Sequence, residues 1–171
     1  MNNENLGRFV QLFTLADADA TERVRQRLTT VLGDPAAYQE QYAEELEERG
    51  IVAGLPAQEL RDVALIDGLL SEELVWESDW KDVAGDLVYG LNETLTQQHR
   101  TVRLVELAGA RAAVTGPEAL DIVQDLLEPV GLALVLLTLD SDTYALTAVV
   151  DAQAEETRQL AQELGFSVTV Y

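Results

Sequence analysis

The stretch Leu132-Ala-Leu-Val-Leu-Leu-Thr-Leu139 carries no charge and is followed, across Asp140-Ser-Asp142, by Tyr144-Ala-Leu-Thr-Ala-Val-Val150. Two apolar runs of strand length separated by a short polar turn predict a β-hairpin. The first run is apolar at odd and even positions alike, so the strand it forms belongs where both faces of a sheet are covered. It falls far short of the ~20 residues that a membrane-spanning helix needs. Downstream, Asp151 caps a helix through Leu160 and Leu164, Gly165 ends it, and Phe166, Val168 and Val170 alternate with Ser167 and Thr169 in a last strand. Upstream, Thr115-Gly-Pro-Glu118 has the spacing of a capping box ahead of a helix with Leu120, Val123, Leu126 and Leu127. Earlier still, Thr101 to Leu107 reads as a short strand, with Val102 and Leu104 alternating with polar neighbours.

From residue 101 the predicted order is therefore β-α-β-β-α-β, the ferredoxin-like arrangement. The usual order of that fold puts the second strand at an edge, which sits badly with the uncharged 132–139 run. Either the sheet order differs, or the edge is covered by the helices before it or by a second copy of the chain. Coverage by the helices is the expectation adopted here.

Before residue 99 the pattern is helical. Leu6, Phe9, Val10 and Phe13 recur at i, i+3, i+4 and i+7. A second helix, with Asp19 to Glu22 as its capping box, carries Val24, Leu28, Val31 and Leu32 up to Gly33. Asp34-Pro35 starts a third, with Tyr38, Tyr42 and Leu46 on one face, Glu40, Glu44, Glu47 and Glu48 on the other, and Gly50 as its stop. Residues 56–74 form a largely buried fourth helix. Leu74 to Trp80 reads as a helix end or a short strand, after which Asp79 to Asp82 caps a fifth helix with Val83, Leu87, Leu91 and Leu95. The expected fold is α+β: a helical half, 1–98, packed on the small, mostly antiparallel sheet of an α+β half, 99–171, in one compact domain.

The charge balance narrows the function. There are 31 Asp+Glu against 11 Lys+Arg, a net charge of -20, while 47% hydrophobic residues is too many for an acidic disordered tail. The excess is spread along the chain, 20 acids to 7 bases in 1–98 and 11 to 4 in 99–171, leaving no basic patch for phosphate neutralisation. Direct nucleic-acid binding is excluded on that ground. With no cysteine there is no disulfide, thiolate nucleophile or sulfur-ligated zinc. The opening MNNENLGRF lacks the basic and apolar regions of a signal peptide, so a cytoplasmic protein without membrane attachment is expected.

Two segments, Trp76-Glu-Ser-Asp-Trp80-Lys81-Asp82 and Leu139-Asp140-Ser-Asp142-Thr-Tyr144, resemble those of a bacterial family known only as a domain of unknown function, number 6630. The resemblance spans roughly residue 60 to the C-terminus. It implies a bacterial, cytoplasmic protein and supplies neither an activity nor catalytic residues.

No catalytic motif or cofactor-binding pattern stands out. Asp140 and Asp142 are weak metal candidates, but the EF-hand template fails because Ala145 and Asp151 occupy its glycine and glutamate positions. Asp17 and Asp19 fail likewise, and both pairs read as turn and cap chemistry. His99, the single imidazole, reads as a surface residue at a helix end. Asp67 interrupts an apolar run; its plainer reading is the border of the stripe, reaching solvent, and its sharper one a carboxylate held near the core. Trp76 and Trp80, with Asp79 and Lys81 beside them, read either as core anchors between the helices and the sheet or as a partner surface, and the Glu40, Glu44, Glu47 and Glu48 face as a solvated surface or one that meets a basic protein. The expected function is a noncatalytic, acidic protein-interaction or regulatory module binding a basic protein partner. The alternative is a small-molecule-sensing regulatory domain with ligand at a dimer interface, and self-association is left open by both.

Overall fold

The computed structural model describes residues 3–15, 17–139 and 142–171. Helix α1 (Asn3–Thr14) buries Leu6, Phe9, Val10 and Phe13, the set its periodicity places on one face. Helix α2 (Ala18–Gly33) turns Val24, Leu28 and Val31 inward. Its cap is Asp17, whose carboxylate accepts from the Ala20 N–H at 2.8 Å, so the expected Asp19–Glu22 box does not form. Glu22 binds Arg25 of the next turn instead, at 2.8 Å. Asp34 caps α3 (Pro35–Gln41) through the Ala36 and Ala37 N–H groups, as its place before proline predicts. The single third helix breaks at Tyr42 (φ -111°, ψ 24°) and resumes as α4 (Ala43–Glu48). The buried α5 (Ala57–Leu70) follows, with Leu60 and every residue from Asp62 to Leu69 buried.

Four antiparallel strands, β1 (Trp76–Asp79), β2 (Leu132–Leu137), β3 (Thr143–Val150) and β4 (Val168–Val170), form one sheet in the order β1-β3-β2-β4. Among the described residues this order corrects two expectations. Thr101 to Leu107 is not a strand: the Asn92 side chain pairs with the backbone of Leu104, donating to its carbonyl at 3.1 Å and accepting from its N–H at 2.7 Å. One amide thus takes the place of a ladder rung and holds the segment on a helix, while Val105 stays 75% exposed. The second correction concerns β2, which lies between β3 and β4. Its apolar character comes from a sheet order that differs from the ferredoxin-like one, and needs no helical cover at an edge. The true edges are short, four residues in β1 and three in β4, which limits the unpaired backbone they offer.

Because side chains alternate along a strand, β2 feeds two cores. Ala133, Val135 and Leu137 join Leu6, Phe9, Leu28, Tyr38, Leu60 and Leu164 on one face. Leu132 and Leu134 join a second core on the other, with α6 (Ala84–Gln97) and α8 (Pro117–Leu127) supplying Leu87, Leu91, Leu95, Leu120 and Val123. Each fully buried leucine contributes on the order of 1.5–3 kcal/mol relative to exposure. The short α7 (Gly109–Ala112) bridges α6 and α8. The Thr115–Glu118 capping box is absent: Gly116, at φ 68°, is the cap of α8 and makes no side-chain bond, while Thr115 pairs with Val83 in an isolated β-bridge. Asp151 opens a single 3-10 turn rather than the helix itself, and α9 (Ala154–Leu164) then ends at Gly165. Beyond it, Asp62 of α5 accepts the Ser167 N–H at 2.7 Å, and Arg158 of α9 donates to the Val170 carbonyl at 2.8 Å, so side chains cover the β4 edge. No described helix is long and apolar enough to cross a membrane.

Candidate functional site

The aromatic candidates meet at the corner where β1 turns into α6. Strand alternation sends Trp76 toward α6 and Glu77 to the opposite face. The Trp76 indole lies directly on Gly90: a Cβ built there would stand 2.2 Å from the ring, so only glycine admits this approach. Tyr89, the neighbour of Gly90, meets Trp76 edge to face with ring centroids 6.0 Å apart. The acids of the segment tie the turn. Asp79 accepts the Lys81 N–H at 2.8 Å, and Asp82 accepts the Asp79 N–H at 2.9 Å together with the Ser78 hydroxyl. Neither acid caps α6, whose N-cap is Val83 and whose Ala84 N–H reaches the Val114 carbonyl at 2.7 Å.

The corner splits the two tryptophans. Trp76 is a half-buried anchor, whereas Trp80 is 42% exposed and Tyr89 58% exposed. Lys81, the chain's single lysine, places its Nζ 5.2 Å from the centre of the Trp80 ring. A contact of that kind on an exposed ring is worth roughly 0.5–1 kcal/mol.

On the other side of β1 lies a charged cluster. Arg27 of α2, buried by the apolar face of its own helix, donates to the Tyr38 hydroxyl at 2.9 Å, binds Glu45 at 2.8 Å and approaches Asp67 at 3.5 Å. Its guanidinium also stacks 4.2 Å from the centre of the Tyr42 ring. Arg49 pairs with Asp67 and, at 2.9 Å, with Glu77. Asp67 is thus 7% exposed and ion-paired, not a border residue reaching solvent. Burial pushes its carboxyl above the usual aspartate range, with Arg49 and Arg27 pulling the other way. Burial likewise pushes the Tyr38 hydroxyl up, against the pull of Arg27. The sequence signal for this cluster is an arginine at a core position of α2, between Val24 and Leu28, matched by an aspartate at a core position of α5.

The acidic face divides. Glu40, Glu44, Glu47 and Glu48 are all exposed. Glu48 shares a cleft of about 490 Å³ with Arg49, Asp67 and Glu77, while Glu40 and Glu47 line a separate one with Leu46 and Ile51. Glu44 lines neither. Asp140 lies outside the described residues; the Asp142 carbonyl accepts the Trp80 N–H at 2.9 Å, which ties the hairpin tip to the aromatic corner. His99 is exposed and ends α6 in the left-handed conformation (φ 55°). No group of three or more metal-ligating side chains is assembled among the described residues.

No curated protein and no solved structure matches the chain. The family model described as "Domain of unknown function (DUF6630)" matches residues 5–171, essentially the whole chain, and the protein belongs to that family.

Proposed function

We propose that the chain is a noncatalytic, acidic interaction module that binds a basic protein partner, and that its two halves act as one domain in doing so. The observation that carries this reading is the aromatic corner. Tyr89 stands exposed against a Trp76 seated on Gly90, and Trp80 is exposed just past the end of β1, with Asp79, Asp82 and Asp86 close along the chain and Lys81 the only base among them. Tryptophan and tyrosine are enriched among the residues that anchor protein interfaces. The net charge of -20 steers a basic partner toward the surface and makes association weaken with salt.

The test compares the protein with its Trp80→Ala/Tyr89→Ala variant as bait in a native lysate at low salt. A basic protein held stoichiometrically by the unaltered chain, released by salt and lost from the variant, supports the reading. Identical recovery on both baits, or no stoichiometric partner on either, overturns it.

A further inference from the structure

We propose that residues 35–51 form a lid, which opens off α2 and α5 as one cooperative unit between Gly33–Asp34 and Val52–Pro56, its short helices melting as it leaves, with Arg27, Arg49 and Asp67 as its latch. Regular structure is interrupted at both ends of the segment. Asp34 is extended (φ -145°, ψ 90°) between two helices, and residues 52–55 belong to no helix or strand, with Val52 83% exposed. The helices between, seven and six residues long, cannot persist in water without the body beneath them. Only Tyr38 and Leu46 of this segment are fully sunk into the core. Clefts follow its margins: one beside Arg27 and Tyr42, one beside Glu48 and Arg49, and one beneath Ile51 and Leu55.

The latch divides cleanly between lid and body. Tyr38, Glu45 and Arg49 ride on the lid, whereas Arg27, Asp67 and Glu77 stay behind on α2, α5 and β1. Opening therefore separates Arg49 from Asp67 and Glu77, and Glu45 and Tyr38 from Arg27, but leaves Arg27 and Asp67, 3.5 Å apart, to neutralise each other. Glu77 loses Arg49 but is already partly exposed, so no fully buried charge is left unpaired. The lid itself carries Glu40, Glu44, Glu45, Glu47 and Glu48 against a single Arg49, so repulsion within it and from an acidic body favours release. Few buried apolar contacts and no fully buried charge left unpaired on opening are the conditions for a low-stability, cooperative unit.

A chain without cysteine reports such opening directly. Single thiols introduced as Leu46→Cys in the lid and Val149→Cys in the sheet are labelled with a disulfide reagent under native conditions. Thiol 46 is expected to react at least ~10-fold faster than thiol 149. Adding Arg49→Gln should accelerate the first and leave the second unchanged. Hydrogen exchange on the unaltered chain gives a second reading, free of any packing change at position 46. The Tyr42, Leu46 and Ile51 amides, bonded within the segment, should exchange together and well before the amides of α2 and α5. Equal labelling at both thiols, or equal protection across these amides, overturns the lid.

Discussion

The lid region and the aromatic corner flank the same edge strand and are both acidic at the surface, yet they are held by opposite means. The lid is fixed by charge: two arginines, three carboxylates and a tyrosine hydroxyl in a partly buried cluster, over only two fully buried side chains. The corner is fixed by shape: an indole pressed on a helix backbone at Gly90, with the nearby acids used to tie a turn. A charge network tolerates rearrangement, because its members can exchange partners. An indole on a glycine has one seat. The difference separates a part suited to movement from a part suited to presenting a fixed surface.

The contrast can be broken most forcefully at Arg27. Arg27→Ala leaves Asp67 with Arg49 alone, empties the space beside Tyr42 and deprives the Tyr38 hydroxyl of its partner. The expected loss is about 3–5 kcal/mol, the range for removing one member of a buried ion pair, measured by urea unfolding. Gly90→Ala comes next. The added methyl must displace Trp76, at about 1–3 kcal/mol for overpacking, and tryptophan emission should shift to the red while thiol labelling of the lid stays unchanged.

Asp67→Asn should cost less than either, and its signature is in the pH dependence. Burial raises the Asp67 carboxyl, so the folded chain takes up a proton there at higher pH than the unfolded one, whose value is near 3.8. Linkage then makes Asp67 favour the fold increasingly as pH falls through the folded value, with the gain complete below the unfolded one. Melting temperatures of the unaltered chain minus those of Asp67→Asn should therefore rise on acidification. Glu156, lowered by its hydrogen bonds from Arg8, has the opposite sign: its contribution is present above 4.5 and is lost as pH falls through its folded value. The smallest effect belongs to Trp80→Ala, a 42% exposed side chain whose removal should change stability by no more than about 0.5 kcal/mol while abolishing partner capture.

Local pattern carried much of this fold and little of its assembly. The faces of α1 and α2, the Asp34 cap, the β2–β3 hairpin and the left-handed stop at Gly165 all follow from spacing within a few residues. The strand order does not, since β4 pairs with β2 rather than with β1 through contacts that no local pattern encodes. Thr101 to Leu107 has the alternation of a strand, and loses that fate to one amide, Asn92, which supplies the pairing a neighbouring strand would have supplied. At the candidate sites, the exposed Trp80 and the acidic face were legible as residue types. The Arg27–Asp67 pair was not, because each member looks like an isolated charge in an apolar stripe until two helices meet.

The central strand has a final consequence. In most half-buried strands polarity fixes the register, since a slip of one residue turns greasy side chains to water. In β2 both faces are greasy, so a slip would expose nothing. What differs between the faces is bulk: Leu132, Leu134 and Leu136 on one, Ala133, Val135 and Leu137 on the other. Alignment of this strand is written in side-chain volume, and exchanging Ala133 with Leu134 would scramble it without changing the composition of the chain.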